Sequence, residues 1–261
     1  MFLTTQPLWL SGVLLVGLTT SIAMLGPIIV RRRVSLQKLS TNNEVAGFKF
    51  ATVGVLYAVL LAFVVIVVWE KFSDAETGVA REAGAATTIY RLANGIAAEP
   101  GDALRTGVTR YLEAAIAKDW PAMEQGKGSL VVTQALNDLY SELLSYNPSD
   151  RRGAAIFTEI LHQLDLVTEA RRARLVMAAG IVPGIVWMVL FGGAFVTIGF
   201  TFFFGTVNLR AQSMMTGALS LLIFSGLLII IAIDHPFAGS VKVGSEALSA
   251  VVEDFDQGPH H

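Results

Sequence analysis

The stretch KFATVGVLYAVLLAFVVIVVWE, residues 49–70, contains 20 consecutive residues without a charge between Lys49 and Glu70. An α-helix rises about 1.5 Å per residue, so about 20 apolar residues cross the roughly 30 Å hydrocarbon core of a bilayer. This stretch therefore predicts a membrane-spanning helix, and the rest of the chain is interpreted from it.

Three more charge-poor stretches of similar length occur in the chain, and each predicts a further span. The 261 residues are 53% hydrophobic and only 15% charged, whereas soluble domains carry about 25% charged residues. This composition argues against a soluble enzyme and against a disordered chain. The predicted spans cover residues 8–30, 47–69, 180–203 and 213–233.

The long segment between spans two and three has a helical pattern and no alternating strand pattern. Breaks at Pro100, Gly126 and Pro148 divide it into helices near 70–98, 102–124, 129–146 and 149–178. Ser129 and Ser149 are predicted to be N-caps. The predicted fold class is therefore all-α, with four membrane spans and a helical extramembrane domain. The predicted divisions are 1–69, 70–179, 180–235 and 236–261.

Apolar residues at helical spacing predict the core of the extramembrane domain. One helix supplies Ile156, Ile160, Leu164 and Val167, with Leu161 alongside, and the preceding helix supplies Leu136, Leu139, Tyr140, Leu143 and Leu144. No breaker follows span two, so its helix is expected to continue past Glu70. Pro183 is expected to kink span three, because proline removes a backbone donor.

The positive charges of the short loops predict the orientation. Loop 31–46 carries Arg31, Arg32, Arg33 and Lys38 against one acid, Glu44. The positive-inside rule places this loop in the cytoplasm and residues 70–179 outside, with span one as an uncleaved anchor. The cluster Arg171, Arg172 and Arg174, just before span three, conflicts with that orientation. Long loops are largely exempt from the rule.

The residues give no support for catalysis, a cofactor or a metal centre. The chain has no cysteine, which excludes thiolate metal sites and a cysteine nucleophile. His162 and the pair Asp234-His235 lack partners at metal-ligand spacing, and no familiar catalytic motif occurs. The formal net charge of −2 gives no basic surface for nucleic acid. We therefore predict no enzyme, no cofactor, no metal site and no nucleic-acid partner.

Span two carries the candidate functional residues. The spans contain no ionisable residue in their interiors, which argues against charge-coupled pumps but not against a pore. Several copies of span two around an axis would form an apolar pore neck from one face and an acidic mouth beyond it. The predicted neck residues are Leu56, Val59, Phe63 and Ile66, and the predicted mouth residues are Glu70 and Asp74.

Two structural alternatives apply to these features. Glu70 and Asp74 could instead form ion pairs with Lys71, Arg81 or the Arg171–Arg174 cluster. A second face of span two carries the small residues Gly54, Ala58 and Ala62, which permit close helix packing. That packing could occur between subunits or within one protomer.

Two long stretches carry a family resemblance. GVLYAVLLAFVVIVVWEKFSDAETGVAREAG (54–84) and LDLVTEARRARLVMAAGIVPGIVWMVLFGGAFVTIGFTFFFG (164–205), with the later IDHPFAG (233–239), resemble a bacterial bestrophin-like membrane family. The resemblance to bestrophins themselves is more distant. It rests on four spans, a helical domain between spans two and three, and an acid-x-Pro-Phe motif after span four.

The resemblance implies a homopentameric ion channel in which span two lines the axis. We predict a bacterial inner-membrane homo-oligomer, in contact with lipid, that passes small inorganic ions passively with a cation preference. Bestrophins carry the helical domain on the cytoplasmic side, whereas the charge count places it outside. The chain has no acidic run resembling the calcium clasp of animal bestrophins. The alternative is a non-conducting scaffold or sensor whose helical domain binds a protein or ligand.

Overall fold

The computed structural model describes residues 8–257, which form helices and no β-strand. The predicted all-α class is confirmed. A π-helical turn joins the first two helices, so that they form one span. The helices are α1 Leu8–Gly12, α2 Leu18–Arg33, α3 Leu36–Ser40, α4 Asn43–Leu92, α5 Ala98–Ala114, α6 Trp120–Met123, α7 Leu130–Ser145, α8 Arg151–Ala178, α9 Gly184–Thr201, α10 Leu209–Ile233 and α11 Glu246–Asp256.

The chain divides into two compact units. The first unit contains the residues up to Glu70 together with Val182–Asp234, and the second contains Lys71–Ile181 together with the residues from His235 onward. Four helical stretches are long and apolar enough to cross a membrane. They are Trp9–Arg33, Asn43–Gly95, Gly184–Thr201 and Leu209–Ile233. The four predicted spans are therefore confirmed, with a helical segment between the second and third.

Small residues bring the helices of the first unit close together. A Cβ atom on Gly217 of α10 would lie 2.7 Å from Cγ of Met24, and one on Gly226 would lie 2.9 Å from Cδ2 of Leu61. The Tyr57 hydroxyl of α4 donates a 3.0 Å hydrogen bond to the Leu190 carbonyl of α9. Helices in a membrane gain little from apolar burial alone, so close packing and such hydrogen bonds hold them together.

The helix boundaries confirm one sequence prediction and correct two others. Helix α4 continues without interruption past Glu70, as predicted. Pro183, however, does not kink span three, because it is the N-cap residue and α9 begins after it at Gly184. A proline before the first turn removes no intrahelical hydrogen bond. The N-cap of α8 is Asp150 rather than Ser149, and its carboxylate accepts a hydrogen bond from the backbone amide of Gly153.

The core of the second unit largely follows the predicted stripes. Ile160, Leu164 and Val167 of α8 are buried, as are Leu136, Leu139 and Leu143 of α7. One predicted core position is wrong, and three others, Ile156, Leu161 and Tyr140, are half-buried. Leu144 is exposed, and Tyr140 is half-buried because its hydroxyl donates to Asp165 at the surface.

The C-terminal helix α11 was not predicted from the sequence. It packs within the second unit, where the ring of Phe255 stacks on Tyr90 at a centroid distance of 3.7 Å and Leu248 is buried. Asp254 lies 4.0 Å from the Arg91 guanidinium, which is an exposed ion pair. Surface pairs of this kind contribute about 0–1 kcal/mol, so the aromatic and aliphatic contacts account for most of the docking.

The packing of α4 against α9 predicts different effects for two adjacent glycines. A Cβ atom on Gly193 would lie 2.5 Å from Cδ2 of Tyr57, whereas one on Gly192 would meet no atom within 4 Å. We expect Gly193→Ala to lower the free energy of unfolding by about 1–3 kcal/mol through overpacking. Thermal unfolding in detergent, followed by circular dichroism, measures the change.

Gly192→Ala is the matched control, because the two substitutions change helix propensity in the same helix by the same amount. It should leave the melting temperature unchanged or raise it slightly. Equal melting temperatures for the two variants would contradict the packing described here.

Candidate functional site

The face of α4 that carries the predicted neck residues is not covered by its own protomer. Leu56, Val59, Phe63 and Ile66 are all exposed, Phe63 to 63%. Only 11% of the apolar window of this span is buried, against 44% for α10. An apolar face left open in this way must meet lipid, another protein surface or a pore.

A different face of α4 makes the contacts within the first unit. Tyr57 and Val68 are buried there. Residues on a helix are offset by about 100° each, so Tyr57 and Phe63 lie on different faces of α4. The same helix therefore packs inward on one side and presents Phe63 and Ile66 on another.

The small residues of span two are also not covered by other parts of the protomer. Ala58 and Ala62 are exposed, and a Cβ atom on Gly54 would meet no atom within 4 Å. Close packing of this series within one protomer, one of the two alternatives, is therefore not observed. The second alternative, packing between subunits, stays a prediction.

The predicted mouth residues are both exposed. Glu70 closes the first unit and has no ion-pair partner among residues 8–257. Asp74 belongs to the second unit and forms a 2.8 Å ion pair with Lys71. The alternative of pairing with Lys71 thus applies to Asp74, while the Arg171–Arg174 cluster pairs with neither residue.

Arg171 and Arg174 instead enter a buried ion cluster in the second unit, which the sequence interpretation missed. The Arg174 guanidinium donates two 2.9 Å hydrogen bonds to the carboxylate of Glu82. The Arg171 guanidinium donates to the carboxylate of Asp119 at 2.8 and 3.2 Å. A 3.4 Å contact between Arg174 and Asp119 links the two pairs, and all four residues are buried.

Neighbouring groups satisfy the remaining polar atoms of the cluster. The hydroxyl of Tyr111 donates a 2.6 Å hydrogen bond to Glu82, and the backbone amide of Ser129 donates to Asp119 at 2.8 Å. The Arg174 guanidinium lies 4.5 Å from the ring centroid of Trp120, within cation–π range. Two arginines and two carboxylates leave no net charge, so the cluster is compatible with burial.

The protonation states follow from these contacts. Burial lowers the pKa of Arg174, but the Glu82 carboxylate outweighs it, so the pKa of this guanidinium is raised above its ordinary value. Burial, reinforced by the charge of Glu82, raises the pKa of Tyr111 well above its usual range. Arg174 therefore stays charged and Tyr111 stays a hydrogen-bond donor at physiological pH.

Helical periodicity carried a signal for this cluster. Arg171 and Arg174 continue the buried series Ile160, Leu164 and Val167 at spacings of three and four. Charged residues on the core face of a helix require partners, because an isolated buried charge is very costly. Glu82 occupies the equivalent position on α4, after Ala75 and Val79. The sequence could therefore place these charges in the core, but not pair them.

The described residues contain no group of three or more His, Cys, Asp or Glu that could hold a metal ion. His162 is exposed on α8. Asp234 is buried in the first unit, where its carboxylate accepts a 2.7 Å hydrogen bond from the backbone amide of Val182. That carboxylate has a structural role at the junction of α10 with the following turn.

Comparison with known families and structures matches the chain to one family. The bestrophin-like domain family matches residues 17–248. A crystal structure of a bacterial bestrophin homologue from Klebsiella pneumoniae, phased by Zn-SAD, superimposes with a TM-score of 0.68 at 16% identity, covering 94% of this chain and 99% of that one. A variant of the same homologue gives 0.67 at 15% identity, covering 93% and 96%.

A third crystal structure, described only as a membrane protein variant, gives a TM-score of 0.69 at 16% identity and covers 93% of this chain and 96% of that one. At these identities the structures establish the fold of the chain. No curated protein matches the sequence.

The buried ion cluster predicts a large and position-specific loss of stability. Arg174→Leu leaves the Glu82 carboxylate buried without its cation, so we expect the free energy of unfolding to fall by about 3–5 kcal/mol. Denaturant unfolding of the purified protein, followed by circular dichroism, measures the loss. Arg152→Leu removes an exposed arginine from the same helix and should change stability by at most about 0.5 kcal/mol. Equal losses in the two variants would show that the cluster does not stabilise the fold.

Proposed function

Because the chain belongs to the bestrophin-like family, we propose that it forms an ion channel in the membrane. In this proposal the chain is a homo-oligomer, with a pentamer favoured, and small inorganic ions pass through its central pore without an energy source. Helix α4 of each subunit lines the axis. No described residue needs to react covalently, because diffusion down an electrochemical gradient is the only step.

The observation that supports this proposal is the open apolar face of α4. Only 11% of its apolar window is buried, the smallest fraction among the four spans. A span at the edge of a bundle can face lipid, but this one ends in the exposed carboxylate of Glu70. A symmetric ring would cover Phe63 and Ile66 and bring the carboxylates of several subunits together.

The proposed neck consists of Leu56, Val59, Phe63 and Ile66. These residues recur at spacings of three and four, so one side of α4 contributes four successive layers of apolar side chains. A narrow apolar constriction excludes water unless it widens. It can therefore block the passage of ions without any charged residue in the constriction. We therefore propose dewetting or widening of the neck as the gating event.

The proposed mouth gives the pore a cation preference. Glu70 lies one turn beyond Ile66 on α4, and a ring of carboxylates attracts cations and repels anions. Asp74 lies one further turn along the helix, but its charge is partly offset by Lys71 at 2.8 Å. Glu70 is therefore expected to contribute more to selectivity than Asp74.

We place loop 31–46 on the cytoplasmic side of a bacterial inner membrane. The Arg171–Arg174 cluster conflicts with this orientation, but it belongs to the long segment 70–179, and long segments are largely exempt from the positive-inside rule. A reporter fused after Gln257 should be active in the periplasm. Activity in the cytoplasm would reverse the orientation and agree with the side on which bestrophins carry their helical domain.

The neck predicts a gain of conductance when its side chains are shortened. Phe63→Ala and Ile66→Ala should each raise the current of protein reconstituted in planar bilayers, because a wider neck holds water more readily. Phe195→Ala is the matched control, since Phe195 lies on α9 and is exposed to the same 63%. It should leave the current unchanged.

The outcomes separate the candidate functions. In the same bilayers, Glu70→Gln should shift the reversal potential measured under a salt gradient toward the value of a less cation-selective pore. Glu159 is an exposed acid on α8, and Glu159→Gln is the control that should leave the reversal potential unchanged. Conductance that none of these substitutions changes would remove α4 from the pore. No current from a correctly folded oligomer would favour a non-conducting scaffold or sensor.

A further inference from the structure

We propose that Lys49 forms a basic ring at the end of the pore opposite Glu70 and sets the charge selectivity of that mouth. The pore then carries rings of opposite charge at its two ends. This inference rests on the channel proposed above and adds a selectivity residue to it, because Lys49 lies outside both the proposed neck and the proposed acidic mouth.

Lys49 shares a heptad position of α4 with two neck residues and with the acidic mouth. The chain places Lys49, Leu56, Phe63 and Glu70 at intervals of seven residues. Seven residues make almost two turns of an α-helix, so each interval moves only about 20° around the helix. All four residues are exposed and belong to the first unit. The face that carries the proposed neck therefore has a cation at one end and a carboxylate at the other.

The separation of the two charges matches the thickness of a bilayer. The 20 residues between Lys49 and Glu70 carry no charge. A helix of this length extends about 30 Å, which is also the approximate thickness of the hydrocarbon core. Lys49 and Glu70 therefore lie at the two ends of the apolar part of the span, where a pore along α4 would open to water.

The packing of the first turns of α4 leaves Lys49 on the uncovered side. The ring centroid of Phe50 lies 5.9 Å from that of Phe200 and 5.7 Å from that of Phe204, so Phe50 faces the interior of the first unit. Tyr57 comes seven residues after Phe50 and is buried on the same side. At about 100° per residue, Lys49 is turned away from this packed side of the helix.

No acid in the described part of the chain compensates the charge of Lys49, which forms no ion pair within residues 8–257. Glu44 is the acid nearest to it in the sequence. It comes five residues earlier, which places it about 140° away around α4. The ammonium group of Lys49 is therefore available to act on ions that pass along its face of the helix.

Rings of opposite charge make the two mouths of the pore unequal. A Glu70 ring raises the local concentration of cations, whereas a Lys49 ring lowers it and raises that of anions. Cations then enter more readily from the Glu70 mouth. In symmetric salt, the cation current should therefore be larger from the Glu70 mouth to the Lys49 mouth than in the reverse direction.

An exposed lysine at the end of a span can instead extend into the lipid headgroup region. A lysine in that position faces lipid phosphate and has little effect on ions in a pore. Because Lys49 shares its face with Leu56 and Phe63, its position depends on whether that face surrounds the axis. The test must therefore measure ion flow.

Single-channel recording of the full-length protein in planar bilayers tests the basic ring. Lys49→Gln should raise the cation-to-anion permeability ratio about twofold or more, because a unit charge about 8 Å away in water changes the local concentration of an ion by about that factor. The same substitution should reduce the dependence of the current on the sign of the voltage. Lys49→Glu should change both quantities further in the same direction.

Arg210→Gln is the matched control. Arg210 is an exposed cation of α10 at the same end of the first unit, since Asn43 at the start of α4 exchanges hydrogen bonds of 2.7 and 2.9 Å with Gly205. Its neutralisation should leave the permeability ratio and the current asymmetry unchanged. Equal effects of Arg210→Gln and Lys49→Gln would overturn the ring, because they would show a general effect of surface charge.

The absence of cysteine from the chain allows the charge to be restored chemically. Lys49→Cys should lose the asymmetry of the current, and a positively charged thiol reagent should restore it. A negatively charged reagent should shift the permeability ratio further toward cations. Recovery by charge alone separates an electrostatic effect in the pore from a folding defect. Arg210→Cys should respond to neither reagent.

The outcomes distinguish the basic ring from the channel itself. If Phe63→Ala raises the current while substitution and modification at position 49 leave permeability and asymmetry unchanged, the ring is overturned and the channel proposal stands. If a correctly folded oligomer carries no current, both are overturned.

Discussion

The uncovered apolar face of helix α4 is the constraint on which the proposed assembly depends. The hydrocarbon core requires an apolar surface on every span, and α4 satisfies this requirement with side chains that its own protomer does not bury. Tyr57 and Val68 use another side of the helix for packing within the first unit. The predicted neck residues are therefore available for contacts outside their own protomer. In the proposed ring they would surround water and ions, and the assembly rather than the protomer would complete the pore.

Helical periodicity lets α4 serve several purposes at once. Its inward face packs through Tyr57 in the first unit and through Phe72 and Val79 in the second. A second face carries Phe63 and Ile66, and a third carries the small residues Ala58 and Ala62. Each residue of an α-helix adds about 100° of rotation, so within each unit different residues of α4 lie on different sides of the helix.

The buried ion cluster explains how the second unit holds α4 in place. Glu82 of α4 pairs with Arg174 of α8, and Asp119 connects both arginines to the segment between α5 and α6. A buried pair contributes less than its Coulomb energy suggests, because both charges lose hydration. We infer that the cluster favours one packing of these helices, because an arrangement that separates Glu82 from Arg174 leaves an uncompensated charge in the core. The cluster thus defines one packing of these helices among several that apolar contacts alone would allow.

The sequence by itself determined the four spans, the all-α class and the continuity of α4, because each follows from local properties such as charge gaps, helix breakers and periodicity. It also predicted that Leu56, Val59, Phe63 and Ile66 share one face of α4, and that face is exposed in the protomer; its role as a pore neck stays a prediction. Only the tertiary structure paired Glu82 with Arg174, which are 92 residues apart, and showed that Pro183 precedes α9. Likewise, only the tertiary structure showed that α11 packs on α4 through the stacking of the Phe255 ring on Tyr90. Such contacts depend on which helices become neighbours, and residues distant in the chain meet only after the core has formed.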